Sequence, residues 1–381
     1  MLSTERCRGR LKRFAADCAE QGLDLAIVSD TRNIAYLTGF LRPDVGVSDM
    51  KSVLLLVYPD RGSVLLNSQM FKSLAEKVYK DEMIVYTDYD IHHKMVTHLD
   101  DALAVLRERL VGDQRKPQKI GIESRYQATS VTMLLQELYP SAAMTDLSNT
   151  ILHMRRIKED DELALIRRSE SQIALAYKTV KETIAEGRTE LDALLAGSAA
   201  LTRSAGEYTF FYGDFVSGER AEGIGGWPTG RVLQNGDLFI FDLWTTTEGY
   251  WADTCRTFAV GGKPTAEQIK MQDVVLKAVD AGEQLLRPGI LARDVYQAMY
   301  DTIVAEGYGD YFPHHGGHGF GLHAHEAPFF IPASDDILEE GMTCTLEPGV
   351  YIPGGGGVRS EDNYLITATG FENLTPYPRG L

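Results

Sequence analysis

The 381-residue sequence carries 44% hydrophobic and 24% charged residues, an ordinary balance for a chain too long for one core, so two domains are expected. Its formal charge of −16 excludes the basic footprint that non-specific nucleic-acid binding or docking on an anionic membrane requires. The N-terminus, MLSTERCRGRLKRF, lacks the apolar core of a secretory signal, and no stretch reaches roughly 18 uncharged apolar residues, so a cytoplasmic protein off the membrane is expected.

In chain order, Leu11, Phe14, Ala15 and Cys18 form one stripe of an amphipathic helix. Short apolar runs follow at Leu23–Val28, Ser52–Tyr58, Ser63–Leu66, Met83–Tyr86 and Lys119–Ile122. They alternate with helical stretches, among them Met95–Val111, on which Leu99, Leu103, Leu106 and Leu110 share a stripe, and Ala128–Leu138. That alternation predicts an α/β domain over residues 1–155, with the boundary near Met154–Lys158 and a second domain over 156–381. From Asp160 to Gly187 the spacing of Leu163, Ile166, Ile173, Tyr177, Val180 and Ile184 predicts one long helix, with Gly187 as its C′ residue. Beyond it strand pairs dominate, interrupted by helices at about Thr265–Leu286 and Leu291–Glu306. The four cysteines (Cys7, Cys18, Cys255, Cys344) make no CxxC pair, so reduced structural thiols are expected rather than a zinc knuckle or a disulfide framework.

Three segments carry chemistry. A buried-strand run, Leu238-Phe-Ile-Phe, ends in Asp242; Thr245–Gly249 turns, and the returning strand carries Asp253. A hairpin centred on that turn sets the two carboxylates directly opposite on one face, about 5 Å apart. Two carboxylates in an apolar strand pair repel and lose hydration, so a cation is needed; the bland alternative is one Asp capping a turn and the other solvated. Next, five of the nine histidines (His314, His315, His318, His323 and His325) fall within twelve positions among glycines. Imidazole is both a metal ligand and an acid or base near neutrality, and clustering favours function over lone core histidines. Neither Gly354–Gly357 nor the Gly317–Gly321 run has the context of a nucleotide loop. Finally, Glu347 ends an apolar strand as Asp242 does, while Arg359 and Glu361, two apart in a strand from Gly357 to Ile366, share a face. Arg359 there can orient a metal-bound carboxylate, or be a surface ion pair. Four carboxylates with one imidazole suit Mn²⁺, Co²⁺, Zn²⁺ or Fe²⁺, and two such ions about 3.5–4 Å apart can activate a shared water.

These residues resemble the pita-bread metallopeptidases, which include Xaa-Pro aminopeptidase, prolidase, methionine aminopeptidase and creatinase. The resemblance spans nearly the whole chain: Leu23–Val28 with Asn33–Phe40, the Met154–Lys158 junction before a long helix, the Asp pair, GHGxGLxxHExP, EPGxY and VRxED. It implies a creatinase-like N-terminal α/β domain and a C-terminal α+β pita-bread catalytic domain, usually dimeric. It implies two divalent ions (Mn, Co or Zn) held by Asp242, Asp253, His318, Glu347 and Glu361, with Asp253 and Glu361 bridging, and peptide or amide cleavage by a hydroxide that the ions share. Glu347 takes the water's proton, His325 stabilises the tetrahedral intermediate, His314 lines the substrate pocket, and Arg359 supports the metal shell. Two departures from the family pattern concern substrate: Gly225 stands where proline-specific members have His, and Pro328 is followed by Phe329 and Phe330 where dipeptidases have Arg. Xaa-Pro peptides are the expected substrates. The alternatives are a small-molecule amidohydrolase of the creatinase or ectoine-hydrolase type and a non-catalytic binding module.

Overall fold

In the computed structural model, which describes residues 2–41, 53–88, 91, 98–375 and 377–381, the chain divides into two units, Met1–Arg155 and Arg156–Leu381. The first contains α1 (Thr4–Glu20), β1 (Leu25–Val28), α2 (Thr31–Thr38), β2 (Leu54–Tyr58), β3 (Gly62–Ser68), α3 (Lys72–Ala75), β4 (Glu82–Tyr86), α4 (His98–Gly112), β5 (Lys119–Ile122), α5 (Thr129–Leu138), β6 (Ala143–Asp146) and α6 (Ser148–Met154). Its mixed six-stranded sheet runs in the order β4-β3-β2-β1-β5-β6. Leu25, Ile27, Leu56 and Leu66 of the sheet pack with Leu106 and Leu110 of α4 and Leu134 and Leu135 of α5. α1 is capped by Ser3, whose hydroxyl accepts from the Arg6 amide, and buries Cys7, Leu11, Phe14 and Cys18. Ser52 and Met95–Thr97, expected at the starts of β2 and α4, lie outside the described residues.

A carboxylate closes this unit. Glu123, fully buried just after β5, accepts from the amides of Ser29 (2.5 Å) and Asp30 (2.8 Å) and from Asn33 Nδ2 (2.5 Å). Asn33 in turn accepts from Arg155 at 2.8 Å, and the Tyr36 hydroxyl donates to the Met154 carbonyl at 3.0 Å. The Asn33–Phe40 segment is thus spaced to serve one buried acceptor and the end of α6.

The second unit contains α7 (Asp160–Thr183), α8 (Glu190–Ala205), β7 (Phe211–Tyr212), β8 (Phe215–Ser217), β9 (Leu238–Thr247), β10 (Tyr250–Ala259), α9 (Ala266–Glu283), α10 (Ala292–Ala305), β11 (His318–Gly319), β12 (Glu326–Phe329), β13 (Thr343–Leu346), β14 (Gly349–Ile352), β15 (Gly356–Arg359), β16 (Asp362–Ile366) and β17 (Phe371–Asn373). One sheet joins β10-β9-β7 with β8 also on β9, a second runs β12-β11-β13-β16-β17, and β14-β15 form a ribbon. α7 and α8 pack against Phe239, Phe241, Leu243, Ala252 and Phe258, while α9 and α10 share a core with Cys344, Leu346, Tyr364 and Ile366. All four cysteines are buried and unbridged. Among the described residues no helix is long and apolar enough to cross a membrane.

Three local expectations are corrected. α7 ends at Thr183, because Ile184 turns extended and the Gly187 amide leaves the helix to donate to the Leu233 carbonyl. α8 occupies a stretch expected to be strand: Thr189 and Asp192 cap its start reciprocally and Gly206, at φ 72°, ends it. The expected strand from Gly357 to Ile366 breaks at Ser360–Glu361, where the Ser360 amide donates to Pro348 and the Glu361 amide to Cys255, so β15 and β16 belong to different sheets.

Replacing Glu123 with Ala orphans three donors, two of them buried, so the variant should lose about 2–4 kcal/mol of stability. Urea denaturation followed by circular dichroism measures it, with Glu123→Gln losing less; a midpoint unchanged in Glu123→Ala contradicts this role.

Candidate metal centre

Alternation along β9 sets up the site. Phe239, Phe241 and Leu243 face the α7–α8 core, which leaves Ile240, Asp242 and Trp244 on the opposite face. The turn is two residues, Glu248 at φ 49° and Gly249 at φ 81°, so Thr247 pairs with Tyr250. Asp242 is therefore opposite Cys255, and Asp253 opposite Trp244. The two carboxylates are diagonal neighbours rather than facing partners, because the turn is centred one residue later than expected. Each residue's partner moves by two positions, an even step, and the shared face survives.

His318 comes from β11, where Gly317 at φ 149° lets the chain press so close to β13 that a Cβ would lie 2.1 Å from the Thr345 carbonyl oxygen. Its Nδ1–H donates to the Gly319 carbonyl at 3.0 Å, which leaves Nε2 as the free lone pair. Ligand atoms of Asp253, His318 and Glu361 all lie within 4.8 Å of one another. Glu347 Oε1 is 3.3 Å from His318 Nε2 and accepts from the Thr345 hydroxyl at 3.1 Å. Asp242 is outside the tight trio: Arg359 donates to its Oδ2 at 2.6 Å. All five groups are buried.

Burial and mutual repulsion dominate the electrostatics. Desolvation, then the charges of Glu361, Asp242 and Glu347, hold Asp253 far above the usual carboxylate range. Glu361 is raised in the same way by burial, Glu347 and Asp242. Asp242 Oδ1, Asp253 Oδ1 and both Glu361 oxygens are buried without a hydrogen-bond partner. Orphaned carboxylate oxygens converging on an imidazole lone pair fit divalent cations, which neutralise the charge and satisfy the lone pairs together. Burial likewise holds His318 well below its ordinary value, as ligation requires.

Arg359 also donates from its other nitrogen to the Tyr351 hydroxyl at 2.8 Å; that hydroxyl donates to His314 Nε2 at 2.9 Å, and His314 Nδ1 donates to the His315 carbonyl at 2.7 Å. Both nitrogens of His314 are thus occupied, and burial pushes it down to about 3. His325 is exposed, with its ring 3.9 Å from that of His318. Two neighbours went unmarked in the sequence. His315 Nδ1 is 3.6 Å from Glu347 Oε1; it stood in the histidine cluster but without a role. Asp214 lies 3.5 Å from Arg359 and accepts from the Gly226 amide at 2.9 Å, and no motif signals it. A Cβ on Gly225 would fall 1.9 Å from Asp214 Oδ2, so this carboxylate fills the space a side chain at 225 would take. Fully buried Glu190 fixes the segment by accepting from the Ser217 amide (2.9 Å), the Thr229 amide (2.9 Å) and Arg220. Phe329 stands half-exposed in register with His318.

The family model for metallopeptidase family M24 matches residues 164–368, and that for the creatinase/prolidase N-terminal domain matches residues 10–157. A Xaa-Pro dipeptidase of Lactobacillus delbrueckii subsp. lactis is 28% identical over 359 residues, covering 93% of this chain and 94% of that protein. The prolidase from Pyrococcus horikoshii OT3 superposes with a TM-score of 0.85 at 26% identity, over 98% of this chain and 99% of that one. A Xaa-Pro dipeptidase from Bacillus anthracis gives 0.84 at 25% identity, over 98% and 99%. The chain belongs to metallopeptidase family M24, a family of metal-dependent hydrolases, and has its pita-bread fold following, in sequence, a creatinase-like N-terminal domain.

Burial, opposed by Arg359 and aided by the charge of Asp242, raises Glu347 to about 8. Without cations the folded protein keeps protons that the unfolded chain has lost above about pH 4.5, so these carboxylates make stability fall as pH rises. The neutral histidines oppose this only below their unfolded value of about 6.5. Metal-stripped protein should therefore melt at progressively lower temperature from pH 6.5 to 8.5, and the rise in melting temperature on adding Mn²⁺ should grow across the same range. A gain that shrinks with pH contradicts a cation replacing those protons.

Proposed function

We propose that this enzyme hydrolyses the peptide bond of small Xaa-Pro peptides, with Asp242, Asp253, His318, Glu347 and Glu361 holding two divalent cations. The observation that carries the proposal is the set of buried, unpartnered oxygens on Asp242, Asp253 and Glu361 beside the His318 lone pair. The relatives named Xaa-Pro dipeptidase support the substrate class. Bound cations supply Lewis acidity and lower the pKa of water toward neutrality.

The chain's own residues supply proton transfer and orientation. Glu347 receives the proton of the attacking water: its Oε1 lies 3.3 Å from the Nε2 of His318, at the edge of the site. His325, open to solvent beside His318, donates to the carbonyl oxygen as charge develops on it. Arg359 keeps Asp242 aimed through its hydrogen bond to Oδ2. His314 acts through Tyr351 on that arginine, a positioning role suited to a ring with both nitrogens engaged. Residues 1–155 and 156–381 act as the N-terminal and catalytic domains, in a cytoplasmic homodimer with Mn²⁺, Co²⁺ or Zn²⁺ as working ions.

A second reading, cleavage of a small non-peptide amide, is favoured by Asp214 filling the space beside Gly225 and by Phe329 after Pro328. Activity on Xaa-Pro peptides and on cyclic or guanidino amides, each with Mn²⁺, Co²⁺ and Zn²⁺, separates the two. Glu347→Ala should lower kcat at least about 100-fold on the true substrate. Undiminished turnover by that variant rejects the base assignment, and bound metal without turnover of any substrate rejects the enzyme reading.

A further inference from the structure

The face of β9 that carries Asp242 does not end at the carboxylates. Tyr212 of β7 is in register with Trp244 of β9, and Trp244 with Asp253 of β10, so the three lie in one row across the sheet. One residue, Trp244, thus separates the carboxylate of Asp253 from Tyr212. Trp251, two positions before Asp253, shares the same face. The rings form a continuous array: Tyr212 is 4.9 Å from Trp244 and 4.4 Å from Trp227, and Phe210 is 6.3 Å from Tyr212 and 5.4 Å edge-on from Trp251.

Two features of this shelf call for a ligand. Trp227 is 70% exposed, yet its backbone is fixed: Arg220 donates to its carbonyl at 2.7 Å and is itself held by Glu190. A large ring displayed on an anchored backbone is preorganised, with little ordering entropy left to lose on binding. On the other side of the Tyr212 contacts, the indole N–H of Trp244 is buried and has no acceptor. A buried donor without a partner is costly, and a peptide carbonyl would satisfy it.

We infer that this shelf of Tyr212, Trp227 and Trp244 binds an aromatic side chain of the substrate on the acyl side of the scissile bond. The inference rests on the Xaa-Pro reading, which assigns proline to the leaving side and so leaves the variable residue for the shelf. An aromatic ring on Trp227 and Tyr212 extends the edge-to-face array already present, while a small or charged side chain leaves it uncovered. The enzyme then selects Phe-Pro and Trp-Pro peptides over Ala-Pro and Asp-Pro peptides.

The test uses full-length, Mn²⁺-loaded protein. Phe-Pro and Trp-Pro should exceed Ala-Pro in kcat/KM by about tenfold or more, and Trp227→Ala should bring the ratio to within about twofold of one. Trp227 is at the surface, so its removal should not unfold the chain. An equal loss on all Xaa-Pro substrates in Trp227→Ala places proline on the shelf and overturns the inference, as does turnover without aromatic preference; both leave the Xaa-Pro reading standing. Binding supplies an arm independent of catalysis: phenylalanine amide should quench tryptophan fluorescence with about tenfold lower Kd than alanine amide, and Trp227→Ala should abolish the difference. That discrimination without turnover of any Xaa-Pro peptide rejects the activity and keeps the shelf, whereas its absence rejects the shelf. Conversion of an oligomer to monomer by Trp227→Ala would make the shelf a subunit interface and overturn the inference.

Discussion

Three buried carboxylates, Asp253, Glu347 and Glu361, gather at one imidazole with a fourth, Asp242, beside them, and most of the catalytic unit's polar architecture answers that crowding. An isolated buried carboxylate costs several kcal/mol, and each neighbour of like charge adds to the cost. Arg359 offsets one of the four through Asp242. A second buried arginine, Arg256, stands behind the site: it pairs with Asp362 at 2.5 Å and donates to the Glu361 carbonyl, so the acid next in sequence to Glu361 has its own cationic partner. Beyond these two arginines the convergent oxygens need cations. Each buried element near the centre either ligates, compensates or aims.

The backbone delivers this arrangement with few devices. Period-two alternation gives β9 an aromatic face for the core and an acidic face for the site, and a two-residue turn brings Asp253 back onto that face. Gly317 allows the histidine strand to reach β13, and the break at Ser360–Glu361 lets Arg359 stay with the β14–β15 ribbon while Glu361 joins the trio. A continuous strand would tie both residues to one partner. The converging residues thus come from distant segments: Asp242 and Asp253 project from one face of the β9–β10 ladder, whereas His318 opens β11, Glu347 follows β13 and Glu361 stands in the break between β15 and β16.

Much of this was legible in the sequence, for a physical reason. An acid at the end of an apolar run, as at Asp242 and Glu347, is costly to bury and so points toward a compensating cation, beside the bland reading of a capping or solvated acid. Clustered histidines and ordered motifs did the rest, and the M24 family follows from them. Less legible was what depends on registry. Whether the hairpin turned at 247 or 248 could not be fixed from composition, so the carboxylates were expected face to face when they are diagonal. α8 was hidden because its apolar residues pack on one narrow side, leaving Leu191 and Leu195 exposed. Asp214 gave no signal, since it acts only through folding that brings it to Arg359 and Gly225. The hydrogen bonds that engage both nitrogens of His314 have no signature in the sequence, which shows only that a histidine is present.

The rim and the metal-holding core answer to different constraints, and this locates where specificity can change. Asp214 and Gly225 form a unit: any side chain at 225 must displace the carboxylate, and moving that carboxylate frees the Gly226 amide and alters the charge facing Arg359. Restoring a histidine at 225 alone would therefore strain the segment rather than recreate a proline-specific pocket. The segment's anchor, Glu190, belongs to α8 and grips Ser217, Arg220 and Thr229 on either side of 225 without touching the convergent carboxylates. The loop between those grips can exchange residues while the ligands keep their positions. A family that keeps its metal chemistry while diversifying its substrates needs such a partition, and here it falls between the β9 face at Asp242 and the held segment from Ser217 to Thr229.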